Sequence, residues 1–362
     1  MKYLKTLFDL LPKFSETFGP TGCEKRILDQ IKEELDGVCD CSFDAIGNLI
    51  CHLPGKLPRT KGGKKADVYA FIAGVDEIGF MITKIDDKGY LRFESTGTGD
   101  PSCFVGKKMV AGNETTLLEG VGGGKVLHLL SGDERKNAPG FDKLFIDLGV
   151  TKKEELEGKL EIGDCAAFKG EYFELPGEHI VGKALESRAN CALLVTLFKH
   201  AAKLEKDRRH DLYAVFAVKE KIGFSGAVTA LHRIKPDRAV LLGFEPSCDI
   251  DEKDEHKKGA ILGKGPVLPL KDGRALYYDD PAFFERAKNV CAPLPVQILD
   301  GSATMSSSNA HLSAAGVPMV SLRLPCLNPE TPYVIMRKED LEYTRAKLWA
   351  LAAFRDDEHI EE

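Results

Sequence analysis

The chain has 362 residues, 43% of them apolar, with 50 lysines and arginines against 56 aspartates and glutamates, a formal charge of -6. That length exceeds what one hydrophobic core usually serves, so two domains are expected. The acidic balance, with no basic cluster interleaved with aromatics, excludes nucleic acid as the expected partner. No apolar run reaches the roughly 18 residues of a membrane span, and residues 1–9 read as an amphipathic helix rather than a signal peptide, so a cytoplasmic protein with no membrane partner is expected.

Residues 2–36 carry two helical patterns broken at Phe18-Gly-Pro-Thr-Gly, with Ile27, Ile31 and Leu35 at helical spacing. Residues 41–51 have the form of a strand, a tight turn at Gly47-Asn48 and a second strand. After a loop rich in Lys, Gly and Pro, the apolar strand Val68 to Ala73 runs into Gly74-Val-Asp76-Glu77-Ile-Gly79. From Phe80 to Phe173 the pattern changes to short strands and turns: a hairpin over Asp87-Lys88-Gly89, then strands within 120–130 and 160–169. Such a block between two α/β segments reads as a separate small β-barrel. Gly122-Gly-Gly-Lys125 lacks the Lys-Ser/Thr ending and following helix of a phosphate loop.

Beyond it, residues 179–204 lead into a helix, Leu212 to Ala217 is an apolar strand, and a helix starts near Ala227. Residues 236–245 form a buried strand of the parallel-sheet type. Glu220 and Lys221 therefore fall at the carboxyl end of a strand, where open α/β sheets keep their chemistry. The ten cysteines are spread singly apart from Cys39 and Cys41, the pattern of buried reduced thiols. Cys39-x-Cys41 has no second ligand pair nearby, which argues against zinc-ribbon chemistry.

Several stretches resemble, in order, the motifs of the tetrahedral, or glutamyl, aminopeptidase family of dinuclear metallopeptidases, the M42 family, some of whose members carry endoglucanase labels. Val218-Lys-Glu-Lys-Ile-Gly-Phe-Ser-Gly226 is similar to Val-x-Glu-Glu-x-Gly-x-x-Gly. The others are Gly19-Pro-Thr-Gly-Cys-Glu24, Asp44-Ala-Ile-Gly-Asn-Leu49, Gly74-Val-Asp-Glu-Ile-Gly79, Gly182-Lys-Ala-Leu-Glu-Ser-Arg188, Leu262-Gly-Lys-Gly-Pro266 and Gly301-Ser-Ala-Thr-Met. The resemblance implies an α/β fold: a three-layer aminopeptidase-like domain formed by 1–79 and 174–362, with a small β-barrel domain, 80–173, inserted for oligomerisation.

The resemblance also implies a site using two divalent metals, zinc or cobalt. Carried over residue by residue, the five ligand positions become Gly74, Glu186, Lys221, Gly243 and Glu330, with Glu220 as general base and Asp76 as the carboxylate that orients a metal-bound histidine. Glu77, Arg188 and Glu245 complete the pocket. Two of the five positions keep a carboxylate, whereas catalytic zinc usually takes three protein ligands and a metal pair needs more. Glu186 is one methylene longer than the family's bridging Asp, and as a first-turn carboxylate it equally suits the helix dipole. His311, the histidine nearest to a ligand position, reads as a helix-start residue.

An ammonium cannot ligate a metal, and carboxylates gathered without a cation repel one another. Lys221 is therefore expected to pair with Glu186 or Glu220 in place of the metal charge. The expected function is that of a homologue impaired or inactive through lost ligands: a scaffold, a partner of an active paralogue, or a binder of small peptides, assembled as a homo-oligomer (dimer to dodecamer) or hetero-oligomer. The alternatives are an active aminopeptidase with one metal on Glu186, Glu330 and Glu245, and a glycosidase using Asp76 and Glu220, though with the one tryptophan Trp349 no aromatic-lined cleft is foreseen.

Overall fold

The computed structural model describes residues 2–55, 67–132, 135–203, 210–247, 259–272, 275–276, 281–291, 293–299 and 316–352. In chain order, helices α1 (Lys2–Glu16) and α2 (Lys25–Leu35) precede the hairpin β1 (Asp40–Phe43) and β2 (Leu49–Leu53) and the strand β3 (Val68–Gly74). Strands β4 (Gly79–Ile85), β5 (Leu91–Thr96), β6 (Lys108–Gly112), β7 (Leu117–Gly123), β8 (Phe145–Asp147) and β9 (Cys165–Phe168) follow. Next come β10 (Phe173–Leu175), β11 (His179–Gly182), α3 (Leu185–Ala201), β12 (Asp211–Ala217), α4 (Ser225–Ile234) and β13 (Arg238–Pro246). The remainder comprises β14 (Val267–Pro269), β15 (Lys271–Asp272), β16 (Ala275–Leu276), α5 (Pro281–Cys291), β17 (Gln297–Leu299), β18 (Met319–Cys326), β19 (Val334–Arg337) and α6 (Lys338–Ala352).

Eight strands form one sheet in the order β1-β2-β12-β3-β13-β18-β14-β17, whose centre, β12-β3-β13-β18, is wholly parallel. Parallel strands are covered on both faces, and β3 accordingly is buried along its whole length. Its odd-numbered side chains Tyr69, Phe71 and Ala73 join a core with α1, α2 and α3, while Ala70 and Ile72 join a second core with Ala227, Ala230 and Leu231 of α4. Helix α3 is buried nearly all round, its apolar middle enclosed in the core and its polar first turn, Glu186 to Arg188, enclosed with it. Its N-terminus brings Glu186 under the ends of the central strands.

The six strands β4 to β9 close into a barrel, order β4-β5-β8-β7-β6-β9, filled by Phe80, Phe93, Phe104 and Phe168. Edge-to-face ring pairs, such as Phe80 with Phe104 at 5.2 Å, give that interior its directional packing. The whole barrel lies in the chain between β3 and β12, which are neighbours in the large sheet. Both expected hairpins form, with Gly47 and Gly89 at positive φ. The strand expected within 120–130 stops at Gly123, after Gly122 and Gly123 pair with Ile146 and Phe145, and gives way to a short 3-10 turn at Leu127–Leu129. Similarly, residues 160–164 turn at Gly163 before β9 begins.

One cysteine expectation is corrected. Cys23, at the entry to α2, is disulfide-bonded to Cys165 of β9, tying the 19–24 turn to the barrel across a sequence separation of 142. Cross-linking so long a loop restricts the unfolded chain strongly. Reduction, or Cys23→Ala combined with Cys165→Ala, is expected to lower stability by about 2–5 kcal/mol, read from urea unfolding followed by circular dichroism.

Candidate functional site: a carboxylate pocket closed by a lysine

The site lies at the carboxyl ends of the four central parallel strands. β3 delivers Gly74, Asp76 and Glu77, β12 delivers Glu220 and Lys221, β13 carries Gly243 and Glu245, and β18 leads to Glu330. Asp76 is completely buried and organises the β12 loop. Its Oδ1 accepts the Glu220 N–H at 2.9 Å, and its Oδ2 accepts the Lys221 N–H at 3.0 Å and the Thr21 hydroxyl at 2.6 Å. The preceding residue, Lys219, is left-handed at φ 60, and its N–H is taken by Glu24 Oε1 at 3.1 Å. Asn48 accepts the Val218 N–H and donates to the Gly226 carbonyl. A Cβ on Gly226 would overlap that Asn48 oxygen and the Val218 carbonyl, so glycine is required there. Three of the sequence motifs thus meet as the frame that aims Glu220 and Lys221.

Lys221 is 3% exposed, with its Nζ 3.5 Å from Glu330 Oε1 and 3.8 Å from Glu186 Oε1. The ring of Phe244 lies on another side, 5.0 Å from Nζ to centroid. Glu330 is itself left-handed at φ 62, and its second oxygen accepts the Thr98 hydroxyl at 2.8 Å, so a loop following β5 of the barrel helps hold it. Glu186, 2% exposed, keeps its Oε2 without a hydrogen-bond partner. Of the two pairings expected for Lys221, that with Glu186 forms and that with Glu220 does not. Glu220 turns instead toward Gly74, where any Cβ would overlap its carboxylate. Ser187 reaches the same carboxylate at 3.5 Å.

These residues do not fit a pair of metal ions. At one of the five positions that the resemblance assigns to ligands stands a cation, Lys221, and at another, Gly74, a Cβ would overlap the Glu220 carboxylate. Gly243 differs from Gly74: a Cβ there would make ordinary contact at 3.7 Å from Arg323 Cγ, so the site lacks a donor at 243 although it has room for one. Among the described residues no three His, Cys, Asp or Glu side chains of this pocket converge as a ligand set. Glu245 is not available as a replacement ligand, since it is buried in an ion pair with Arg323 at 2.8 Å. Asp76, enclosed and with both oxygens occupied, presents no face to a sugar, which removes the glycosidase pairing with Glu220.

Below the pocket runs a second buried charge network. Glu77 takes both oxygens to Lys183 Nζ at 2.6 Å and lies 3.7 Å from Arg188, which donates to the Gly19 carbonyl at 3.1 Å. Glu77 and Arg188 are therefore structural members of the site. Lys183, Thr21, Glu24, Thr98 and Arg323 were not singled out from sequence. A charged residue inside the mostly apolar run of β18 is a legible signal for Arg323, and Thr98 has none. The motif at 301–305 and His311 lie outside the described residues.

The M42 glutamyl aminopeptidase model matches residues 47–346. The chain belongs to this family. A protein of Acetivibrio thermocellus, provisionally named an aminopeptidase, is 32% identical over 338 residues, 92% of this chain and 95% of that one. The TET aminopeptidase of Thaumarchaeota archaeon SCGC AB-539-E09 superposes with TM-score 0.87 at 24% identity, covering 98% of this chain and 97% of its own. The TET1 peptidase of Pyrococcus horikoshii, which can assemble into a tetrahedron or a large octahedral shell, superposes with TM-score 0.82 at 27% identity, covering 96% and 99%.

In this M42 chain the charges set one another's protonation. Burial raises Glu220 to about 7; Lys221 opposes the rise, and Asp76, Glu186 and Glu330 add to it. Burial likewise raises Glu186, again against the pull of Lys221. Burial works to lower Lys221, but Glu220, Glu186, Glu330 and Asp76 outweigh it and the ammonium titrates above its ordinary range. Since Glu220 binds its proton more tightly when folded, its contribution to stability is complete below about 4.5 and is lost as pH rises through about 7. Glu220→Gln should therefore gain on the parent protein across that window, measured by urea melts at stepped pH. Lys221→Met is expected to cost about 3–5 kcal/mol at pH 8, because it strands buried carboxylates. The deficit should shrink at pH 5, below the value of about 7 at which Glu220 takes up its proton, and the same melts report it.

Proposed function

We propose that this M42 chain is a non-hydrolytic member of its family: an assembly subunit or binder of small peptides whose pocket is held together by a lysine in place of metal. The observation that carries the reading is the Lys221 ammonium set between Glu330 and Glu186 at 3.5 and 3.8 Å. A metal-dependent aminopeptidase needs a Lewis acid to activate water and polarise the scissile carbonyl. The ammonium neutralises carboxylates but accepts no lone pair, and the carboxylates around it outweigh its burial and keep it protonated.

The same proposal takes residues 1–79 and 174–362 as a three-layer peptidase-like body and 80–173 as an inserted barrel domain through which copies associate in the cytoplasm. The TET relatives support assembly into a homo-oligomer, and an active paralogue would be accepted by the same surfaces. Thr98 supports a further role for the barrel, because it places a hydrogen bond on Glu330 of the pocket itself.

The test is metal content and peptidase activity on the same sample. The protein is loaded in turn with zinc, cobalt and manganese, desalted, and assayed on aminoacyl-p-nitroanilides with and without a chelator. Less than about a tenth of an equivalent of metal per chain and no chelator-sensitive hydrolysis are expected. One or more equivalents, lost in Glu186→Ala, together with chelator-sensitive release of p-nitroaniline, would overturn the proposal.

A further inference from the structure

At the edge of the large sheet, the hairpin β1-β2 gathers three thiols. Cys41 of β1 and Cys51 of β2 are direct cross-strand partners in the antiparallel register, and Cys39 immediately precedes β1. Their sulfurs converge: Cys41 Sγ lies 2.7 Å from Cys51 Sγ and 3.7 Å from Cys39 Sγ, and all three lie within 4.8 Å of one another. Cys51 is buried in the core shared with α2, and Cys39 and Cys41 pack against that core while remaining partly exposed. A route from solvent therefore exists.

The pleat sends the other polar residues of the hairpin away from this group. Successive side chains of a strand alternate between faces, and His52 on the opposite face stacks on Tyr213 at 4.3 Å and approaches Asp211 at 3.8 Å. No histidine or carboxylate among the described residues joins the three sulfurs. A disulfide would use two of them and leave the convergence of the third unexplained. A closed structural zinc site wants four protein ligands, whereas soft thiolates without a fourth donor suit a three-coordinate soft cation.

We infer that Cys39, Cys41 and Cys51 form a trigonal thiolate site for Cu(I). Binding is ligand exchange without electron transfer: protons held by the thiols leave to solvent as three sulfur lone pairs take the cation, whose oxidation state is unchanged. The partly exposed pair Cys39 and Cys41 admits the ion, and buried Cys51 completes its shell. The site owes nothing to the residues of the peptidase-like pocket.

The full-length protein, reduced and freed of reductant under nitrogen, is titrated with Cu(I) against the chromophoric chelator bicinchoninate. About one equivalent per chain is expected to resist the chelator, with a thiolate-to-copper ultraviolet band and a sulfur-only shell in X-ray absorption. Cys39→Ser and Cys41→Ser should each abolish the band and weaken retention by more than roughly a hundredfold, while Cys103→Ser on the barrel retains both. Because Cys51 is buried, Cys51→Ser is compared only if its circular dichroism matches the parent protein; the two partly exposed positions decide the matter alone. Copper retention in both Cys39→Ser and Cys41→Ser would overturn the inference. So would refusal of Cu(I) alongside tight uptake of zinc, or thiol counting that finds Cys41 and Cys51 oxidised to each other and closed to the metal.

Discussion

A buried ammonium persists only where negative charge surrounds it, and buried carboxylates stay ionised only where positive charge answers them. Lys221, with Glu330 and Glu186 at 3.5 and 3.8 Å, meets the first condition, and its charge opposes the upward push that burial gives Glu186 and Glu220. Asp76 spends its oxygens on the backbone of the 220–221 turn, which fixes where the lysine can reach. Glu330 accepts a left-handed backbone to meet the ammonium. Removing the lysine would leave these groups without a common counter-charge, whereas removing one carboxylate would leave the others still paired.

Much of the fold was legible. The alternation of apolar strands with helical patterns, the change to short strands after Gly79 and the two glycine-centred hairpins are local signals, and each element formed because its apolar side chains had one face or two to bury. The positions of the site residues were equally readable, since parallel strand ends converge whatever their chemistry. Partners were not. Glu245 looked like a spare ligand until Arg323, 78 residues later, claimed it. Lys221 could be foreseen as a counter-ion, but the choice of Glu330 over Glu220 depended on the space beside Gly74, which no spacing rule records.

Pairings between distant segments were lost for the same reason. Cys23 and Cys165 are brought together by a turn and a barrel strand with no shared motif. Cys51 stands close in sequence to Cys39 and Cys41, yet cross-strand register, not residue count, decides which sulfurs meet. Lys183 and Arg188 share Glu77 under the pocket, linking α3 to the 19–24 turn, and this network only becomes visible once Gly19 is known to sit over the helix start.

The contact between Gly74 and Glu220 has an implication for the order in which such a site can change. A side chain at 74 and the present orientation of Glu220 exclude each other, so a donor cannot be placed there by one substitution without displacing the carboxylate. Glu220 in turn would have to find a new position in a pocket already filled by the lysine. Any change at 74 thus requires coordinated steps whose intermediates are each crowded or unbalanced in charge. The glycine acts as a lock on composition: the space its missing side chain leaves is the space the neighbouring carboxylate occupies.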